Sequence, residues 1–260
     1  MIELALRRPR NQVAVVIPVH KKELTPYERI SLLQCLEVLQ AYPIYIFSPP
    51  DLWTDECGLP KHVERIHFPE EYFRNVASYN RLMFSPTFYA RFAHFEYILV
   101  YQLDAFVFSD QLSYWCGLSY DFIGAPWLGL NRREQVRGLL PIWERKGLLR
   151  TVWNKEISNV GNGGFSLRRV RTFLVLSTLL KRQAKAWSLN EDTFWSFISP
   201  CYYPFFRKPA ADVALRFSFE LEPRAAYELN QQRLPFGCHA WWRYDFDFWR
   251  HRIGALGHSL

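Results

Sequence analysis

The sequence predicts an α/β fold built around a mostly parallel sheet, and three stretches carry that prediction. Residues 13–19 (VAVVIPV) form a continuous apolar, β-branched run, the signature of a strand buried on both faces. Residues 28–41 (ERISLLQCLEVLQA) place apolar side chains at helical spacing, and residues 43–47 (PIYIF) make a second short apolar run. Strand, helix and strand in that order are a βαβ unit, with parallel strands and a right-handed crossover.

Each element has its own punctuation. Pro18 closes the first strand, Pro43 stops the helix, and Ser48-Pro49-Pro50 ends the second strand. Residues 71–95 are rich in aromatics and read as two helical pieces broken near Pro86. A third strand region runs through residues 97–100 and on through 105–108 (YILVYQLDAFVF). Beyond Trp127 the pattern weakens, and residues 130–159 read as a loop-rich insertion with a short helix. Residues 168–186 read as a helix with a basic end, and residues 190–198 start another whose acids lie in the first turn, where the helix dipole favours them. With no repeat, low-complexity tract or linker, residues 1–260 read as one domain, with a basic extension at 1–12 and an aromatic, basic tail at 241–260.

Composition narrows the function classes. Apolar residues make up 49% and charged residues 22%, which excludes disorder. No run of about 18 apolar residues marks a membrane span, and residues 1–12 lack the apolar stretch of a secretory signal. The five cysteines are scattered without a Cys-x-x-Cys pair, which fits reduced thiols in a cytoplasmic protein rather than disulfides or a zinc site. The net charge of +7 suits an anionic partner. No basic block or motif points to nucleic acid, so a nucleic-acid partner is not expected. Trp241-Trp242-Arg243-Tyr244 and Phe248-Trp249-Arg250-His251-Arg252 mix rings with arginines. They suit peripheral contact with the inner membrane, or equally a closing helix packed on the domain.

Four motifs can carry chemistry. Asp104 stands between two apolar stretches, where a carboxylate is costly unless it is paired or on a cation; ligands of open α/β sheets bind beyond the carboxyl ends of strands. It is a metal-site candidate or a structural acid. The run Val160-Gly161-Asn162-Gly163-Gly164-Phe165-Ser166-Leu167-Arg168 reads as a glycine turn straight before a helix, offering N–H groups to an anion or sugar, or as a tight turn alone. Asn190-Glu191-Asp192 supplies either a general base or a helix cap. His239 follows a Gly turn and precedes Trp241 and Trp242, which leaves it a ligand or an ordinary histidine.

Taken in chain order, Pro18-Val19-His20-Lys21, Asp104, the Gly-Gly-Phe-Ser turn, the acidic pair and the late His239 resemble the plan of GT-A glycosyltransferases. The spacing of turn and acidic pair is similar to that of the β-1,4-galactosyltransferase group. The strings YILVYQLDAFVF, YDFIGAPW, GNGGFSLR and NEDTFW look like a bacterial family of GT-A-like proteins associated with polysaccharide biosynthesis. The resemblance spans nearly the whole chain, residues 13–242. It implies a single GT-A, Rossmann-like domain with a mixed, mostly parallel central sheet flanked by helices.

The resemblance also implies roles. Pro18, Val19, His20 and Lys21 would border the nucleotide of a nucleotide-sugar donor, UDP-sugar favoured. Gln102, Asp104, Gly163 and Gly164 would complete the donor site. Asp104 and His239 would hold Mn²⁺ or Mg²⁺. Asp192 would be the base of an inverting hexosyl transfer, with Glu191 beside it on the donor sugar. Asn162, Phe165 and Trp195 would face a glycan or lipid-linked acceptor. The chain departs from the Asp-x-Asp motif at its first position, which is Gln102. That departure supports a rival reading, an inactive GT-A-like binding module in a polysaccharide assembly complex.

Overall fold

The computed structural model describes residues 11–52, 63–131, 134–136 and 158–260. The basic extension and most of the 130–159 insertion therefore lie outside the described residues, as does Cys57. Strand β1 (Asn11–Pro18) buries Val13 through Ile17 on both faces, as its apolar run requires. Helix α1 (Pro26–Val38) starts two residues before the expected boundary. Its start signal is a capping box: the Thr25 N–H donates to Glu28 Oε2 at 2.8 Å, and the Glu28 N–H donates to Thr25 Oγ1 at 3.3 Å. Strands β2 (Ile44–Ser48) and β3 (Val63–His67) follow, then a 3₁₀ turn at Glu70–Tyr72. Helices α2 (Val76–Met83) and α3 (Pro86–Arg91) break at Pro86, as the sequence predicts.

Two expectations need correction. Residues 97–108 are not one strand region. Strand β4 (Phe95–Tyr101) ends in a turn, in which the Ala105 N–H donates to the Gln102 carbonyl at 2.8 Å, and β5 (Phe106–Val107) enters a second sheet. After α4 (Leu112–Gly117) and β6 (Phe122–Ile123), the glycine turn leads into strand β7 (Phe165–Arg169) and not into a helix. Pairing with β4 on one side and β6 on the other outweighs the local helical spacing of residues 168 and 169. The helix begins only at α5 (Val170–Leu179), followed by α6 (Lys181–Lys185). The 190–198 helix is composite: α7 (Glu191–Thr193), a π-helical turn at Phe194–Ile198, then α8 (Ser199–Tyr202). The rest is α9 (Ala211–Phe217), β8 (Ser218–Phe219), α10 (Pro223–Leu229), β9 (Gly237–Cys238) and α11 (Phe246–Gly254).

The main sheet has the order β3-β2-β1-β4-β7-β6, and the small one β5-β9-β8. β3, β2, β1 and β4 run parallel, while β7 is antiparallel to β4 and β6. This is the mixed, mainly parallel sheet flanked by helices that the sequence predicts. Period-two alternation divides its side chains. Ala14, Val16, Phe47, Ile98 and Val100 enter one core, with Phe88, Tyr89, Phe173 and Trp195 from the helices. Val15, Ile17, Ile46, Leu99 and Leu167 enter the other, with Leu32, Cys35 and Trp115.

The tail takes the second of its two readings. Trp241, Phe248, Trp249 and Ile253 are buried in a third core, and Trp241 Nε1 donates to Ser31 Oγ of α1 at 3.0 Å. Those side chains pack the tail onto the domain. No helix among the described residues is long and apolar enough to cross a membrane.

Candidate functional site

Strand register assembles the site. β1 and β4 are parallel with Val16 opposite Val100, so Pro18 and Gln102 leave the sheet at the same carboxyl edge. In the small sheet Phe106 pairs with Cys238, and Phe219 pairs with Cys238 from the other side. Asp104, Glu220 and His239 each lie one or two residues outside those pairs, and the ladder brings all three together. His239 Nε2 lies 3.0 Å from Asp104 Oδ1 and 3.2 Å from Gln102 Oε1. His239 Nδ1 lies 3.0 Å from Glu220 Oε1, which also accepts from Asn162 Nδ2 at 2.7 Å. Arg243 Nη2 stands 3.8 Å from Asp104 Oδ2.

The charges follow from that geometry. Burial works against a charged His239, but Asp104 and Glu220 outweigh it and push the imidazole up to about 10. Burial likewise works to raise Asp104, and His239 with Arg243 holds it below the ordinary carboxylate value.

A second cluster lies beneath the turn. Arg168 is fully buried on the same face of the sheet as Ile98 and Val100. Its Nη1 and Nη2 bind Glu191 Oε2 and Oε1 at 2.9 and 2.7 Å. Nη1 also donates to Tyr89 Oη at 3.1 Å, Nη2 to the Gly163 carbonyl at 3.2 Å, and Nε to Ser166 Oγ at 3.0 Å. All five N–H donors of the guanidinium thus have acceptors, which is what a buried ion pair needs to offset its desolvation. Helix α2 closes the cluster: Asn80 Nδ2 donates to Asn190 Oδ1 at 3.3 Å.

Asp192 differs from its neighbour. It is half-buried, and its Oδ1 accepts the Thr193 N–H at 2.6 Å. Desolvation, followed by the nearby Glu191 and Glu220 charges, pushes its carboxyl up to about 7. A carboxylate tuned there is a competent proton acceptor near neutral pH.

The glycines serve this packing. A Cβ on Gly163 would come within 2.6 Å of Glu191 Oε1, and one on Gly164 would overlap the His239 ring. The two Cα atoms lie against those side chains, so the turn is needed to let Glu191 and His239 approach. The N–H groups of Gly164 and Phe165 donate to Asn162 Oδ1 at 2.9 and 3.3 Å. They are not free for an anion, and no helix starts there.

Other expected site residues divide. Gln102, Asp104, His239, Asn162, Gly163, Gly164, Glu191 and Asp192 converge. Phe165 and Trp195 do not face an acceptor. Both are fully buried, Phe165 against Tyr101, Phe217 and Phe236, Trp195 against Tyr89 and Phe173. Glu191 is buried, and each of its oxygens accepts from the Arg168 fork. Pro18 and Val19 reach the carboxyl edge with Val19 buried, His20 is exposed, and Lys21 pairs with Glu28 at 2.8 Å. Sequence reading missed Glu220 and Tyr89, and it missed Arg168 as a site residue. Glu220 is an acid in an unremarkable stretch, and only the β8–β9 register reveals it.

Among the described residues no group of three or more His, Cys, Asp or Glu side chains makes a metal site. The fit to a divalent cation therefore rests on two groups, Asp104 Oδ1 and His239 Nε2. A hard cation that keeps positions for phosphate oxygens and water suits such a pair. Glu220 on Nδ1 is the outer partner that fixes a ligating histidine's ring and tautomer.

The family model of DUF5672, described as a protein of unknown function, matches residues 62–239, and the chain belongs to that family. No curated protein matches it. Among solved structures, the galactosyltransferase LgtC in complex with donor and acceptor sugar analogs is similar at a TM-score of 0.52 and 13% identity, over 95% of this chain and 96% of that one. An active-site mutant of LgtC is similar at a TM-score of 0.53 and 12% identity, over 94% and 95%. At such identity the likeness is one of fold: the mixed sheet flanked by helices matches the GT-A glycosyltransferase fold.

Proposed function

We propose that this DUF5672 member is a glycosyltransferase that moves a hexosyl group from a nucleotide-diphospho-sugar, with UDP-sugar favoured, to a hydroxyl of a glycan or lipid-linked acceptor in surface polysaccharide synthesis. The setting would be the cytoplasm, at or near the inner membrane. One observation carries the reading: His239 joins Asp104 and Glu220 against Gly164, while Asp192 lies against the neighbouring Gly163 of the same turn. Ligands of open α/β sheets bind beyond the carboxyl ends of the strands. The fold match to LgtC supports the same class, since that protein holds donor and acceptor sugar analogs.

In this reading Asp104 and His239, the latter giving up its Nε2 proton, would hold Mn²⁺ or Mg²⁺, and the cation would supply Lewis-acid stabilisation of the leaving nucleoside diphosphate. Glu220 orients the imidazole through Nδ1, and Asn162 holds Glu220. Asp192 takes the proton of the acceptor hydroxyl as that oxygen attacks the anomeric carbon, which inverts it. Glu191 is a positioning residue that anchors the Asp192 turn to Arg168.

The test is thermal stability with a panel of nucleoside diphosphates and sugar nucleotides, with and without Mn²⁺. Binding to the folded state alone adds about 2.7 kcal/mol at a hundredfold excess over Kd. The expected result is a shift with one nucleoside diphosphate, larger with Mn²⁺ and lost in Asp104→Ala. No shift across the panel overturns the reading.

One observation favours a second reading, an inactive binding module: Gln102 puts a neutral amide on His239 Nε2 at 3.2 Å, where the resemblance calls for a carboxylate. Donor hydrolysis without acceptor, retained in the unchanged protein and absent in Asp104→Ala, would exclude it.

A further inference from the structure

With Trp241, Phe248 and Trp249 buried in the tail, the most exposed large apolar side chain among the described residues is Phe205, at 77%. A built turn displays it. The Phe206 N–H donates to the Tyr203 carbonyl at 2.9 Å, which closes a β-turn with Pro204 and Phe205 at its two central positions. Pro204 presets the backbone dihedral of the first. On one side the turn continues α8, where the Tyr203 N–H donates to the Ser199 carbonyl at 2.9 Å. On the other, Phe206 is buried against Phe173 of α5, with ring centroids 6.2 Å apart. Arg207 follows and is tied to Asp121 twice: its N–H donates to Asp121 Oδ2, and its carbonyl accepts from the Asp121 N–H, both at 2.8 Å. Phe205 thus stands out from an anchored base, with the exposed Tyr203 ring edge-on to it at 5.9 Å between centroids.

Positive charge gathers at that base. The Arg207 side chain is exposed, and its guanidinium lies 5.9 Å from the centroid of the Tyr120 ring. Asp121 also accepts from Thr172 Oγ1 at 2.6 Å, next to exposed Arg171, and its Oδ1 lies 3.9 Å from Arg169 Nη1. Three arginines therefore stand around one buried acid. Glu96 offsets one of them, at 3.6 Å from Arg169 Nη2, and the base keeps a net positive charge.

We propose that the turn of Tyr203 to Phe206 is a membrane-docking loop: Phe205 enters the interfacial layer of an anionic bilayer while Arg207 and Arg171 meet the lipid phosphates. An aromatic tip on a fixed projection, flanked by cations, complements apolar chains beneath negative headgroups. A second protein fits less well. Stable protein interfaces take about 20–30 residues a side, and the apolar tip of one turn does not supply them. The inference deepens the proposed setting at the inner membrane and rests on that part of the functional reading.

The experiment is flotation of the full chain with vesicles of phosphatidylethanolamine and phosphatidylglycerol, and with vesicles of phosphatidylcholine alone. The unchanged protein is expected to float with the anionic vesicles and more weakly with the neutral ones. Phe205→Ser should bind the anionic vesicles about tenfold more weakly, the effect of losing one buried ring. Its melting temperature should not change, because the ring stands in water. Phe205→Trp should keep full binding, since Trp favours the membrane interface. Arg207→Gln should lose about fivefold on anionic vesicles and nothing on neutral ones.

Four results would overturn the inference alone. Undiminished binding of Phe205→Ser would place the contact elsewhere. A clear fall in its melting temperature would mean that the ring packs within the fold. Equal affinity of the unchanged protein for both vesicles would remove the role of the arginines. Self-association that Phe205→Ser abolishes would assign the turn to a second copy of the chain. If the unchanged protein floats with neither vesicle, this inference and the membrane setting fall together, while the nucleotide panel still decides the transfer reaction.

Discussion

The two halves of the central sheet are built on different physics. From β3 to β4 the strands are parallel, and β1, β2 and β4 are almost wholly apolar, with Val15, Ile17, Ile46, Ile98 and Leu99 filling both faces. From β4 to β6 the chain runs antiparallel, and β7 carries Ser166 and Arg168 into the same depth of the core. The parallel half is a platform held by non-directional burial. The antiparallel half is held by a polar network with fixed geometry, and it lies directly under the glycine turn. Proteins concentrate local exceptions at functional sites, and a fully satisfied guanidinium beneath Asp192 is such an exception.

The strongest way to break this contrast is Arg168→Met. It leaves the Glu191 carboxylate buried at 4% side-chain exposure without its counter-charge, and removing one partner of a buried pair costs about 3–5 kcal/mol. Chemical denaturation should show that loss, with the Asp192 turn perturbed and transfer abolished. A loss under about 1 kcal/mol would mean that the network relaxes easily and that the two halves are alike.

Asp192→Asn separates chemistry from architecture in the same half. Loss of a general base lowers transfer by about 10²- to 10⁴-fold, and nucleotide binding should persist. The sign of the stability effect is fixed by the pKa. Because the folded value of about 7 lies above the ordinary 3.8, the fold disfavours the ionised form. The native state is best off with Asp192 protonated below the ordinary value, and that advantage fades as pH rises through 7. The Asn variant should therefore match the unchanged protein in melting temperature at pH 4 and exceed it at pH 8. Activity of the unchanged protein should climb through about pH 7 for the same reason. Equal loss of binding and transfer would make Asp192 structural, and a product of retained anomeric configuration would recast it from base to nucleophile.

Legibility in the sequence follows the same division. The parallel half could be read because its signal is local: VAVVIPV and PIYIF are buried on both faces, and the breaks at Pro43 and Pro86 fall where the chain turns. Asp104 and His239 stand out in the sequence by their apolar and turn settings, and the structure brings them together. The antiparallel half was not, because its signal is pairing. FSLRR has apolar residues that a helix could equally use, and only ladders to β4 and β6 make it a strand. Arg168 reads in the sequence as the first residue of a helix with a basic end. Glu220 came into view only when two-residue strands set its level beside His239. Trp195 and Phe165 failed in the other direction, as rings near a motif that serve the core, the usual fate of an aromatic side chain.

The smallest expected effect tests the platform. Ile46 in β2 is 2% exposed and faces the core opposite to Arg168. Ile46→Val deletes one methyl group and should cost about 0.5–1.5 kcal/mol by transfer and cavity terms. The sheet spreads such a loss over many dispersion contacts, none of which aims a polar atom. Nucleotide affinity, measured by calorimetry, should therefore stay within twofold of the unchanged protein. If affinity fell tenfold for one methyl group in the core opposite to Arg168, the parallel strands would be setting the geometry of the site after all. The distinction between an apolar platform and a polar positioning network would then have to be given up.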